Sequence, residues 1–103
     1  MELRFSRQAL ADLDDLKQWL GPRSPQGHRS VAAALSRYIR KLADHPDAGR
    51  PTAMHDIREL IEPRYGFIIP YTQRGDTIWI LRVYSARRYP LNLTEINRPP
   101  DAS

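Results

Sequence analysis

The sequence contains no cysteine, almost no lysine and no apolar run long enough to cross a membrane. Without cysteine the chain can form neither a disulfide framework nor a thiolate nucleophile, which fits a reducing compartment. The first five residues, Met-Glu-Leu-Arg-Phe, lack the apolar centre of a signal peptide. We therefore expect a cytoplasmic protein.

The composition is that of one globular domain with a basic surface. A length of 103 residues, with 41% hydrophobic and 27% charged residues, suffices for one modest core. The net charge of +4 favours an acidic partner, either nucleic acid or an acidic protein. Only Lys17 and Lys41 among the 16 basic residues are lysine, and arginine suits bidentate contact with carboxylate or phosphate.

The first half of the chain predicts a strand followed by two helices. Leu3 and Phe5 alternate as in a short strand, and Ser6 can cap the helix that follows. Residues 7–20 carry an apolar stripe at helical spacing, with Asp12, Asp15 and Gln18 expected on the opposite face, and Gly21-Pro22 is expected to end the helix. The stripe consists of Ala9, Leu13, Leu16 and Leu20.

A second helix is predicted from Ser24-Pro25 to His45-Pro46, because serine is a good N-cap and proline fits the first helical position. The short link between the helices implies an antiparallel helical hairpin. The buried stripe of the second helix consists of Val31, Leu35, Tyr38, Ile39 and Leu42.

Three strands are predicted after a loop at residues 47–51. They cover residues 57–61, 65–72 and 77–85, and a turn at Gln73-Arg74-Gly75-Asp76 joins the last two. Pro70 cannot donate a hydrogen bond to a neighbouring strand, so a bulge or an irregular edge is expected beside it.

The order of elements predicts an α+β fold: an N-terminal strand, a helical hairpin and a three-stranded antiparallel meander, with the helices on one face of the sheet. Leu13, Leu16, Leu35, Tyr38 and Leu42 should pack against Trp79, Leu81 and Val83. The alternate residues Ile78, Ile80, Arg82 and Tyr84 should face away, with the arginine and the tyrosine solvated. We expect one domain over residues 1–90, and a short docked segment with a frayed tail over 91–103.

The residues also resemble, in order and spacing, the ParE/RelE superfamily of toxins from bacterial type II toxin–antitoxin pairs. The resemblance covers nearly the whole chain. It is carried by Ala9-x-x-Asp12-Leu13, Leu42-x-x-x-Pro46-x-x-Gly49-Arg50-Pro51, Arg58-Glu59-Leu60, Tyr65-Gly66-Phe67-Ile68-Ile69-Pro70-Tyr71, Gly75-Asp76 and Ile80-Leu81-Arg82-Val83-Tyr84-Ser85-Ala86-Arg87-Arg88.

The superfamily implies two activities on one fold. RelE-like members are ribosome-dependent ribonucleases that cut messenger RNA, whereas ParE-like members have no known catalytic chemistry and inhibit DNA gyrase. Metal-free RNA cleavage needs a base, an acid and positive charge at the phosphate. Ile68 and Ser85 stand where ribonuclease members carry an arginine or a histidine, and the loop Thr52-Ala53-Met54-His55 has no lysine. The ParE-like side is therefore favoured, and a non-enzymatic toxin with it.

The candidate site residues follow from this resemblance and from the arginines of the predicted sheet. If the protein is a ribonuclease, the catalytic candidates are Arg58, Arg82, Tyr84 and Arg87, with His55 and Glu59 as further groups for proton transfer. A structural ion pair of Arg58 with Glu59, Glu62 or a helix acid is the simpler interpretation of that residue. The partner-binding candidates are Arg82, Tyr84, Arg87, Arg88 and Tyr89.

The expected partners are a cognate antitoxin encoded next to this protein and DNA gyrase, or the ribosome and messenger RNA in the alternative. A third interpretation is a decayed member that only binds its antitoxin. No cofactor is expected, and no metal-ligand spacing links His28 to His45.

Overall fold

The two helices and the sheet follow the chain order predicted from the sequence. A computed structural model describes residues 1–85, and the predicted docked segment and tail at 91–103 lie outside the described residues. The elements are β1 (Glu2–Phe5), α1 (Arg7–Arg23), α2 (Pro25–Asp44), β2 (Arg50–Pro51), β3 (Arg58–Glu62), β4 (Phe67–Arg74), β5 (Thr77–Ile80) and β6 (Tyr84–Ser85).

The strands form one mixed sheet in the order β1-β5-β4-β3-β2, with β6 pairing to β4. The β3–β4–β5 meander is antiparallel as predicted, and β2 is a short addition within the stretch predicted to be loop. β1 pairs with β5 in parallel, so the sheet is mixed rather than wholly antiparallel. The α+β class and the packing of both helices on one face of the sheet are confirmed.

Serine residues cap both helices as the sequence predicts. The Ser6 hydroxyl accepts a hydrogen bond from Ala9 N, and the Ser24 hydroxyl accepts one from Gly27 N. The predicted end of α1 is wrong by about one turn, since the helix continues through Pro22 to Arg23. Proline removes one backbone donor but has a helical φ, and the Arg23 guanidinium donates to Trp19 O in this last turn.

A two-residue turn joins β4 to β5. Gly75 and Asp76 form it, while Gln73 and Arg74 belong to β4. Gly75 has a φ of +59°, which is the backbone that the first central position of a type II′ hairpin turn requires.

Pro70 lies in the middle of β4, which is the central strand of the sheet. Its carbonyl accepts a hydrogen bond from Leu81 N at 2.9 Å, but proline has no N–H to return to Leu81 O. The buried Ser6 hydroxyl supplies the missing donor and bonds to Leu81 O at 2.8 Å. The cap of α1 therefore completes the hydrogen bonding of the sheet.

The strand that pairs with β4 is interrupted beside this proline by one extra residue. Tyr71 pairs with Ile80 and Ile68 pairs with Tyr84, so three steps along β4 oppose four steps along its partner. An extra residue of this kind is a β-bulge, and it shifts the alternation of side chains by one position. The single strand predicted over residues 77–85 is therefore two strands, β5 and β6.

Because the bulge lies between Ile80 and Tyr84, a single alternation cannot assign the faces correctly on both sides of it. Leu35, Leu42, Leu81 and Val83 are buried as expected. Ile78 and Ile80, predicted to face away from the helices, are fully buried in the core cluster, whereas Trp79 is only half-buried. Tyr84, predicted to be solvated, is 7% exposed. Leu13, Leu16 and Tyr38 are half-buried at the edge of the core.

Ser6→Ala should destabilise the fold by about 2 kcal/mol, because it removes the cap of α1 and leaves the buried Leu81 carbonyl without a donor. Urea unfolding followed by circular dichroism measures the change. Ser36→Ala, in the middle of α2, is the matched control and should be nearly neutral. Equal stability of Ser6→Ala and the unsubstituted protein would contradict the assigned role of the hydroxyl.

Candidate functional site

Arg82 forms an ion pair with Asp12 of α1 where the sheet meets that helix. Arg82 Nε donates to Asp12 Oδ2 at 2.7 Å, and Arg82 Nη2 donates to Asp12 Oδ1 at 2.9 Å. Asp12 Oδ2 also accepts a hydrogen bond from Val83 N at 2.9 Å. The two side chains are 16% and 14% exposed, so one carboxylate fastens both the arginine and the backbone of the bulge to α1.

The alternation from Ile80 places Arg82 on the helix side of the sheet, and the bulge turns Tyr84 away from that side. Without the extra residue the alternation from Ile80 would give Arg82 and Tyr84 the same side of the sheet. Instead Tyr84 pairs with Ile68 on the face away from the helices, and the Arg82 side chain reaches helix α1. The prediction that Asp12 lies opposite the apolar stripe is wrong, since Asp12 is three residues after the fully buried Ala9 and shares its side of the helix.

The face of the sheet opposite the helices, called the open face below, carries Arg50, Glu59 and Tyr84. The registers place these side chains on one face, because Arg50 pairs with Glu59, Glu59 with Pro70, and Tyr84 with Ile68. Arg50 Nε and Nη2 both donate to Glu59 Oε1, at 3.2 and 3.1 Å. The Arg50 side chain is 65% exposed and that of Glu59 is 9% exposed.

Tyr84 is held in its neutral form on this face. Burial raises the pKa of the Tyr84 phenol above its ordinary value, and the nearby Glu59 carboxylate raises it further. The positive charges of Arg82 and Arg50 act in the opposite direction but are the smaller effects. At neutral pH Tyr84 is therefore a phenol that can donate a hydrogen bond, and it is not a phenolate.

Arg58 has a structural role in the loop between α2 and β2. Its Nη1 donates to Gly49 O at 2.8 Å, and its Nη2 lies 3.8 Å from a carboxylate oxygen of Asp47. The sequence favoured a structural ion pair for Arg58, and the structure gives it these loop contacts rather than Glu59 or Glu62.

The same loop is fixed by Tyr71, which lies beside Arg58 in the sheet. The Tyr71 hydroxyl donates to Pro46 O at 2.7 Å and accepts from Gly49 N at 2.8 Å. Burial raises the pKa of this phenol. A Cβ on Gly49 would lie 2.6 Å from the Tyr71 ring, so only glycine allows this close contact.

The remaining candidates for proton transfer are dispersed. His55 is almost fully exposed in the loop between β2 and β3, where its Nε2 lies 3.3 Å from Asp56 Oδ1. Ile68 is half-buried on the open face, and Ser85 lines the helix side of β6. Arg87, Arg88 and Tyr89, three of the predicted partner-binding residues, lie outside the described residues. The sequence analysis did not propose Arg50 as a site residue, although Arg50 is part of the motif Gly49-Arg50-Pro51.

A cleft of about 370 Å³ opens between α1 and the strand β6, and it is called the α1–β6 cleft below. Asp12 and Arg82 lie at its wall, Asp15 at its rim, and the Arg23 guanidinium stacks 4.6 Å from the ring centre of Trp19 at its mouth. Its apolar lining consists of Leu16, Trp19, Leu20, Val31, Phe67 and Val83.

The exposed charges of the helical hairpin are of both signs on α1 and mostly basic on α2. Asp14 and Asp15 are exposed on α1 together with Arg7, Lys17 and Arg23. The exposed basic residues of α2 are Arg29, Arg37, Arg40 and Lys41. A second groove between the helices has an apolar floor that includes Leu3, Phe5 and Leu13, and Leu10 at its edge is 54% exposed. This surface suits an amphipathic helix with acidic residues along one side.

Two classes of site are not found in the part of the chain that the structure describes. Over residues 1–85 no group of three or more histidine, aspartate or glutamate side chains is placed to hold a metal ion. Neither of the two described helices is long and apolar enough to cross a membrane.

Comparison with known proteins gives one consistent family. The sequence profile of a family described as "ParE toxin of type II toxin-antitoxin system, parDE" matches residues 3–90. "Putative toxin Y4kP" of Sinorhizobium fredii is 26% identical over 88 residues, which are 85% of this chain and 92% of that protein.

A solved structure gives the same result at the level of the fold. One chain of the "Chromosomal ParDE TA system from P. aeruginosa" superposes with a TM-score of 0.72 and 27% sequence identity. The match covers 82% of this chain and 95% of that chain.

Asp12→Asn should destabilise the protein by about 3 kcal/mol, because a largely buried arginine then loses its counter-charge. Thermal and urea unfolding measure the loss. Asp14→Asn, on the exposed side of the same helix, is the matched control and should change stability by no more than about 0.5 kcal/mol. If the two variants were equally stable, the ion pair would not be the fastening that the geometry indicates.

Proposed function

The chain belongs to the ParE toxin family of type II toxin–antitoxin systems, and we propose that it acts in the cytoplasm by inhibiting DNA gyrase until a cognate antitoxin neutralises it. The family membership rests on the match over residues 3–90. The target and the neutralising partner are the steps that the proposal adds. The internal contacts of Arg58 and Arg82 support the choice of target. The exposed basic residues of α2 support an acidic partner.

The observation that carries the choice of target is the internal use of Arg82 and Arg58. A metal-free ribonuclease needs cations that face the phosphate and stabilise the charge of the transition state. Arg82 gives two hydrogen bonds to Asp12, and Arg58 donates to a loop carbonyl. These contacts favour a structural role for two of the four residues that a ribonuclease mechanism would have used.

One observation favours the alternative, a ribosome-dependent messenger RNA endoribonuclease. Arg50, Glu59 and Tyr84 share the open face, and they supply a cation, a carboxylate and a neutral phenol. These are the types of group needed for charge stabilisation, base catalysis and acid catalysis. Glu59, however, is already bonded to Arg50, and its side chain is 9% exposed.

The purified chain should inhibit supercoiling of relaxed plasmid by gyrase and leave linearised DNA, with no cleavage of messenger RNA on programmed ribosomes. Both reactions are to be run on the same preparation, with the toxin premixed with its antitoxin as the control. RNA cleavage at the decoding site that is lost in Tyr84→Phe would establish the ribonuclease alternative, because this change removes only the hydroxyl. Inactivity in both assays with retained antitoxin binding would indicate a decayed member.

The proposed antitoxin is a small acidic protein whose C-terminal part folds on this domain. The groove between the two helices, with Leu3, Phe5 and Leu13 at its floor, provides an apolar surface for its anchors, and the exposed arginines and Lys41 of α2 provide charge complementarity. Exposed ion pairs contribute little to affinity, but they accelerate encounter. We therefore assign most of the affinity to apolar anchors and most of the association rate to charge.

Reversing Arg87 and Arg88 to glutamate should slow association with the antitoxin and reduce its salt dependence, while leaving a measurable complex. Stopped-flow or surface plasmon resonance measurements across a salt series give both rates. Reversing Arg4 and Arg7, which are exposed on β1 and at the start of α1, changes the net charge equally and should have a smaller effect. Loss of binding at every salt concentration would instead make Arg87-Arg88 a central anchor.

A further inference from the structure

The α1–β6 cleft has the composition of a binding surface for an apolar peptide. Leu16, Leu20, Val31 and Phe67 contribute to its walls, and Trp19 at its mouth is 41% exposed. Tryptophan is a side chain that proteins commonly use as an anchor when one part of it is covered and its edge meets solvent. The surface proposed above for the antitoxin is the groove between the two helices, which is separate from this cleft.

The path of the chain leads from this cleft into the C-terminal residues. Ser85, the last described residue, lines the cleft itself. The family match ends at residue 90, and residues 91–103, called the extension below, lie beyond the matched region. The extension begins Leu91-Asn92-Leu93-Thr94-Glu95-Ile96 and so contains three large apolar side chains in six positions.

The chain after Ser85 is long enough for the extension to fold back to the cleft. The six steps along the chain from Ser85 to Leu91 span up to about 20 Å when extended. Arg98 follows the apolar residues, and Asp15 is exposed at the rim of the cleft. An attached segment also has an effective concentration on the order of millimolar, which favours it over a separate molecule with similar contacts.

We propose that the α1–β6 cleft is the docking site of the chain's own C-terminal extension, with Leu91, Leu93 and Ile96 as its apolar anchors. This contact covers Trp19 and places Arg98 near Asp15. It is independent of the gyrase and antitoxin proposals, because it concerns a surface within one chain and its test needs neither partner.

Trp19 is the reporter of this contact. In a Trp79→Phe background, the full chain should show Trp19 emission at shorter wavelength, and weaker quenching by acrylamide, than a chain that ends at Pro90. Leu93→Glu in the full chain should reproduce the shift of the truncated chain. Asn92→Glu adds the same charge one position away and should leave Trp19 protected. A Trp19→Phe protein, in which only Trp79 reports, should not respond to truncation.

Three results decide the proposal. Loss of Trp19 protection in both the truncated chain and Leu93→Glu, with unchanged far-ultraviolet circular dichroism, supports it. Identical Trp19 spectra and quenching in the full chain, the truncated chain and Leu93→Glu would overturn it. Protection that appears only as the protein concentration rises would also overturn it, because a second copy would then occupy the cleft.

Discussion

The fold depends on a proline in the middle of its central strand. Pro70 cannot return the hydrogen bond that it accepts from Leu81, so the buried Leu81 carbonyl needs another donor. The Ser6 hydroxyl supplies that donor, and the same oxygen caps α1. One serine therefore links the start of the first helix to a place in the described sheet where the ladder lacks a backbone donor.

The bulge next to this proline places the side chains of Arg82 and Tyr84 on opposite faces of the sheet. Arg82 stays on the helix side that Ile80 occupies and reaches α1, whereas the extra residue between Ile80 and Tyr84 turns Tyr84 to the open face. Arg82 then pairs with Asp12, and the same carboxylate bonds to the backbone of Val83. An arginine that could have faced a phosphate thus fastens helix to sheet, and this contact supports the proposal of a binding toxin.

The other end of the sheet uses a tyrosine and an arginine in a comparable way. Tyr71 and Arg58 together bond to Pro46 and to both backbone polar groups of Gly49, and the missing side chain of Gly49 allows the contact. Four exposed basic side chains lie on α2, whereas α1 exposes acidic and basic residues together. Helix α2 is therefore a basic surface suited to an acidic partner.

Local chemistry in the sequence was sufficient to predict the elements that depend on it. Helical spacing, serine caps and a glycine turn predicted the hairpin and the meander, and family motifs in order predicted the toxin family. The faces of the side chains before and after the bulge could be read only from the folded chain, because a bulge shifts the alternation by one residue and leaves no mark in the local pattern. The tertiary structure also decided the partners of Asp12, Arg58 and Arg82, since those contacts join residues up to 71 positions apart that no local spacing relates.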